Sequence, residues 1–80
     1  MKIPRDLSGK ELIKALESIG YSVARQKGSH VSLVAHYTEE HHIVIPLHNP
    51  LKLGTLSAIL ADVASHRGVS RNDLIEQLFG

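Results

Sequence analysis

The hydrophobic period of this chain changes twice, and that constrains its fold more than anything else. Leu12, Ile13, Leu16 and Ile19 recur at the spacing of one helix face. From Tyr21 to Leu47 the apolar residues alternate with polar ones, the period of a half-buried strand. Leu53, Leu56, Ile59, Leu60 and Val63 then return to helical spacing. A segment of period two cannot present one apolar stripe as a helix, nor can the flanking segments do so as strands. The chain is therefore read as helix, strands, helix around one core. At 80 residues it is long enough for a single core and too short for two, so residues 1–80 are taken as one domain.

Local signals sharpen the elements. Ser8 with Glu11 is a capping-box pattern and Gly20 a stop, which predicts a first helix over about residues 9–19. A strand over about residues 21–26 follows, then a tight turn at Lys27-Gly28-Ser29. The next strand, residues 30–37, sets Val31, Leu33, Ala35 and Tyr37 on one face and His30, Ser32, Val34 and His36 on the other. Thr38-Glu39-Glu40 reads as a polar connection to a third strand, residues 41–47, with Ile43, Ile45 and Leu47 on one face. Pro46 cannot donate to a ladder, so that strand ends there or lies at an edge. Asn49-Pro50 breaks the chain before a helix over about residues 53–65 that stops at Gly68. Ser70 and Asp73 open a short final helix carrying Leu74, Ile75 and Leu78. The expected fold is α+β: a three-stranded antiparallel sheet with helices on one face, the other face left open.

Composition removes several chemistries. Cysteine is absent, which excludes a disulfide scaffold, a thiol nucleophile and a cysteine-based metal site. The glycines form neither a dinucleotide fingerprint nor a phosphate loop, and Ser29-His30 stands outside any nucleophile elbow. Neighbours Glu39 and Glu40 point apart on a strand and read as a solvated turn. With two tyrosines, one phenylalanine and no tryptophan, an aromatic base-stacking platform is not expected. Met1-Lys2-Ile3-Pro4-Arg5 has no apolar leader core, and no apolar run approaches the roughly 18 residues that span a bilayer. The expectation is a soluble cytoplasmic protein.

Six histidines are left as candidates for chemistry. His36, His41, His42 and His48 fall close together in the chain, but without a zinc-type spacing, so no metal is expected. His36, His41, His42 and His66 are read as surface residues. The formal net charge of +1 conceals an asymmetry. Lys2, Arg5, Lys10, Lys14, Arg25 and Lys27 outnumber Asp6, Glu11 and Glu17 in the first part, and acids prevail afterwards. An anionic partner meets the N-terminal half first. Within it, Arg25, Lys27, Gly28, Ser29 and His30 place two cations, a pliant backbone and an imidazole within six positions. Such a loop can hold a phosphate while the histidine moves a proton. RNA supplies its own nucleophile, the 2′-hydroxyl, so its cleavage asks for little more.

The order of five blocks carries a resemblance. Gly9-Lys10-Glu11-Leu12, Ile19-Gly20-Tyr21, Gly28-Ser29-His30, Ile45-Pro46-Leu47-His48 and Gly54-Thr55-Leu56 with Ile59-Leu60 together resemble the HicA (YcfA-like) toxin family, from about Ile3 to Leu60. The resemblance implies a double-stranded-RNA-binding-domain-like α-β-β-β-α fold. It implies a toxin of a type II toxin–antitoxin system that cleaves mRNA without the ribosome and is neutralised by a HicB-like antitoxin. It places the catalytic histidine in the Gly-Ser-His block, here His30, with Arg25, Lys27, Gly28 and Ser29 as RNA-binding neighbours by the loop argument. No cofactor is implied. Pro46-Leu47-His48 matches the family's Pro-x-His block, and His48 is read as capping the strand-to-helix junction. Residues 61–80 exceed the usual family ending. The competing expectation is a non-catalytic double-stranded-RNA-binding-like module, and a third is an interaction subunit inert without its partner.

Overall fold

The structure is a computed structural model that describes residues 6–80, with Tyr37 described by its backbone alone. Ile3, where the family resemblance was expected to begin, and the expected inward side chain of Tyr37 lie outside the described residues.

The elements follow in the expected order: α1 (Gly9–Glu17), β1 (Ser22–Lys27), β2 (His30–Tyr37), β3 (Glu39–Pro46), α2 (Leu53–Arg67) and α3 (Arg71–Phe79). The strands form one antiparallel sheet in the order β1-β2-β3, a meander. The α+β topology is thus α-β-β-β-α with an extra C-terminal helix.

Both arms of the capping box form. The Glu11 N–H donates to Ser8 Oγ at 3.1 Å, and the Ser8 N–H donates to Glu11 Oε1 at 3.0 Å. The Ser8 backbone N–H first, and then the Ser8 side chain, hold the Glu11 carboxyl below the ordinary glutamate range. A depressed folded pKa stabilises above the unfolded value and is lost as pH falls through the folded one. Glu11 therefore contributes near neutrality, and its contribution fades below about pH 4. In urea titrations run across that window, Glu11→Gln is expected to flatten the fall of the unfolding midpoint with acid. α2 ends at Gly68 in the left-handed region, φ 69°, as the sequence signals. α3 opens on Ser70, whose Oγ accepts the Asp73 N–H at 3.0 Å.

The core is the apolar face of each element: Leu12 and Leu16 from α1; Val31, Leu33 and Ala35 from β2; Ile43 and Ile45 from β3; Leu56, Leu60 and Val63 from α2; Leu74 and Ile75 from α3. The tail beyond residue 64 thus contributes to the core. Two apolar residues assigned to buried faces are instead exposed, Leu47 at 37% and Leu53 at 72%. Leu47 lies past the end of β3, where strand alternation no longer sets its direction, and Leu53 is the first residue of α2. The β2–β3 connection is also tighter than the expected three residues. Thr38 alone, at φ 60°, lies between the paired Tyr37 and Glu39, so β3 begins two residues early.

Candidate functional site

The hairpin β1–β2 builds the site. Its loop is two residues, Gly28 and Ser29, closed by the pair Lys27 and His30. Gly28 has φ 59°, the positive value that the first position of a II′ turn demands and that glycine adopts at little cost. Gln26 Nε2 donates to the Gly28 carbonyl at 3.1 Å, which steadies the turn. The Leu47 N–H donates to the Ser29 carbonyl at 2.7 Å, tying the turn to the end of β3. His30 thus begins the central strand, flanked by Lys27 on one side and Pro46 on the other.

A bulge decides which side chains face His30. Val23 pairs with Leu33, yet Arg25 pairs with Ser32, so Ala24 is the extra residue. Directly opposed residues share a sheet face. Strict alternation would put Val23, Arg25 and Lys27 together on the face of Leu33. The bulge instead transfers Arg25 and Lys27 to the open face, beside Ser32 and His30 respectively. Opposed Cβ atoms lie about 4.5–5.5 Å apart, so the two cations and the imidazole occupy neighbouring positions. All three are exposed, and among the described residues none of their side chains is engaged in a hydrogen bond or ion pair. Two exposed cations beside an exposed imidazole are a grouping that can hold an anion. The four predicted RNA-binding residues and His30 are therefore brought together. The reading of residues missed that Ser32 stands between Arg25 and Val44 on the same face, because a bulge leaves no mark in the hydrophobic pattern.

The remaining histidines separate by face. His36 pairs with Glu40 and His42 with Val34, both on the open face at its far end. Glu40 accepts from His42 Nε2 at 2.6 Å and lies 3.7 Å from His36 Nδ1. The His42 hydrogen bond first, then the charges of His42 and His36, holds the Glu40 carboxyl below its ordinary range. His41 pairs with Ala35 on the helix face, so His36 and His41 point apart. The reading of His41 and His66 as plain surface residues is corrected. His41 Nδ1 lies 2.7 Å from the Tyr21 hydroxyl and its Nε2 3.4 Å from Asp62. Its ring stacks on His66, centroids 4.3 Å apart and 8° from parallel. Tyr21 is buried, and that burial pushes its hydroxyl pKa up. These contacts join the start of β1, β3 and α2 from the end of the sheet away from His30. Among the described residues no group of three or more histidines, acids or cysteines is arranged to hold a metal ion. His48 lies in the connection from β3 to α2 but makes no side-chain cap for α2; its carbonyl instead accepts the Gly9 N–H of α1 at 2.9 Å while the side chain stays exposed.

A helix followed by a three-stranded meander and helices that cover one face defines the α-β-β-β-α class of small α+β domains. Within that class, the chain belongs to the HicA toxin family. A family model described as HicA toxin of bacterial toxin-antitoxin matches residues 9–64. That span runs from the first residue of α1 into α2 and includes the whole hairpin. Neither the curated proteins nor the solved structures compared with the chain gave a match. No helix among the described residues is long and apolar enough to cross a membrane.

Proposed function

We propose that this chain is an mRNA endoribonuclease, the toxin of its pair, working without a metal ion or the ribosome, with His30 as its proton-transfer group. The observation that carries the reading is the bulge-dependent grouping of Arg25, Lys27 and His30 on the uncovered face. In the reaction the imidazole takes the proton of a 2′-hydroxyl. The 2′-oxygen bonds to the adjacent phosphorus, the bond from phosphorus to the 5′-oxygen breaks, and solvent protonates the leaving oxygen. The products are a 2′,3′-cyclic phosphate and a 5′-hydroxyl. Lys27 and Arg25 hold the phosphate and steady its charge as the fifth bond forms. Gly28 and Ser29 fix the turn that delivers them. A HicB-like antitoxin in the cytoplasm neutralises the toxin, by family membership.

Incubation of the purified protein with RNA and a chelator tests this. Cleavage that survives the chelator supports the reading, and RNA that is bound but left intact supports the non-catalytic RNA-binding module instead. The cations have their own signature. Lys27→Ala and Arg25→Ala are each expected to weaken binding of a single-stranded RNA and to lower the slope of log affinity against log salt by about 0.7. Fluorescence anisotropy at several salt concentrations reads both quantities.

A further inference from the structure

Two sequence blocks outside the hairpin, Gly9-Lys10-Glu11-Leu12 and Ile45-Pro46-Leu47-His48, meet in space. α1 starts directly on the backbone of Pro46 and Leu47, so close that Gly9 has no room for a side chain against the Pro46 carbonyl. The Gly9 N–H donates to the His48 carbonyl, and the Leu47 N–H donates to the Ser29 carbonyl. His30 pairs with Pro46 across the ladder. His30 and Gly9 thus flank Pro46 from opposite sides, and Pro46-Leu47 is a floor shared by the catalytic turn and the start of α1. Strands lie about 4.8 Å apart, which sets the start of α1 on the order of 10 Å from β2.

Beside that floor is a depression lined by Ser8, Lys10, Leu47, His48 and Asn49. It offers one fixed cation, one imidazole, an amide and an exposed leucine surface. The Glu11 carboxylate, the nearest acid in the chain, is committed to the Ser8 N–H. Among the described residues neither the Lys10 nor the His48 side chain has a hydrogen-bond or ion-pair partner. The His48 bond to the start of α1 is made by its backbone carbonyl, and its imidazole is exposed. The charge along the sheet runs the same way, with Arg25 and Lys27 toward this end and Glu39 and Glu40 at the other.

The geometry points to this depression as a second RNA subsite, in which Lys10 and His48 hold a phosphate neighbouring the scissile one and Leu47 supports a base. The inference rests on the ribonuclease reading, and extends it by assigning where the strand goes once it leaves His30. Lys10 acts here as a binding residue, engaged alike in ground and transition states, so its loss raises KM and leaves kcat in place.

The test is anisotropy binding of a 2′-O-methyl RNA oligonucleotide, which resists cleavage, alongside a dinucleotide too short to reach the depression. Lys10→Ala is expected to weaken the longer ligand about fivefold and lower its salt slope by about 0.7, with the dinucleotide unaffected. Lys10→Arg restores the affinity, and His48→Ala adds a smaller loss. Both positions are exposed, and matching circular dichroism melts confirm that the variants are folded. If the parent binds and Lys10→Ala matches it in affinity and slope on the longer ligand, the subsite is refuted and the ribonuclease reading stands. An equal loss on the dinucleotide refutes it too, because the effect then belongs to the His30 end. If the parent neither binds nor cuts RNA, both readings fall together.

Discussion

Replacing His30 by alanine is expected to end growth arrest on induction and to slow RNA cleavage by about 10²- to 10⁴-fold, the usual worth of a positioned proton-transfer group. The fold should not notice. His30 is exposed, its neighbours across the ladder are Lys27 and Pro46, and among the described residues no hydrogen bond depends on its ring. Removing it opens no cavity, so a melting curve of His30→Ala should overlay the parent's. RNA affinity should also survive, because Arg25 and Lys27 remain on the open face. His30→Gln separates the two duties of an imidazole further. It keeps a hydrogen-bonding group at the position but cannot carry a proton, and is expected to be as inactive as alanine. Growth curves after induction and the decay of a labelled RNA read the first effect, and thermal unfolding the second. This combination of lost rate, kept binding and kept stability is what distinguishes a catalytic histidine from a structural one.

The largest expected effect on stability comes from a single methyl group. In Gly9→Ala the new Cβ would run into the Pro46 carbonyl, a backbone atom that no rotamer change can move aside. Gly9 is buried, and its N–H is fixed on the His48 carbonyl, so α1 cannot slide away without losing that bond. Overpacking of this kind costs about 1–3 kcal/mol and occasionally more, and the backbone contact puts it at the upper end. A domain of this size has roughly 4–12 kcal/mol in all, so Tm should fall by more than about 10 °C. Gly54→Ala is the matching control. Gly54 lies within α2 with open space where a Cβ would go, so there alanine's better helix propensity should raise stability by about 0.5–1 kcal/mol. The same substitution thus has opposite signs at two helix positions. Because Gly9 also lies between Ser8 and Lys10, which line the depression, partly folded Gly9→Ala protein should bind RNA less well than its folded fraction predicts.

The order of elements was legible because each leaves a strong local mark. The period shifts at Tyr21 and again at Leu53, Ser8 with Glu11 opens α1, Gly68 closes α2, and Ser70 opens α3. On β2 the inward Val31, Leu33 and Ala35 followed from alternation alone. What escaped was whatever depends on a backbone irregularity or on a distant partner. The extra residue at Ala24 has no signature of its own, yet it puts Arg25 and Lys27 on the face of His30. Thr38 adopts a positive φ that its residue type does not announce, and this lengthened β3. Tyr21 from just before β1 and Asp62 and His66 from α2 converge on His41 in β3, so its half-buried network could not be read from neighbours in the chain. His48 was expected to cap the strand-to-helix junction, whereas in the structure its carbonyl holds the start of α1 and its side chain is exposed. For the site, loop composition singled out the five hairpin residues. Lys10 was invisible as a neighbour because it reaches that end of the sheet through the packing of Gly9 on Pro46.

In the proposed function one exposed histidine, grouped with two cations by a bulge, cuts RNA. The most direct measurement is single-turnover cleavage of one RNA oligonucleotide, with chelator present and protein in excess, by the parent and by His30→Ala at matched binding saturation. The parent is expected to cleave to a 2′,3′-cyclic phosphate, and His30→Ala to do so at least about 100-fold more slowly. Cleavage by His30→Ala at the parental rate would contradict it.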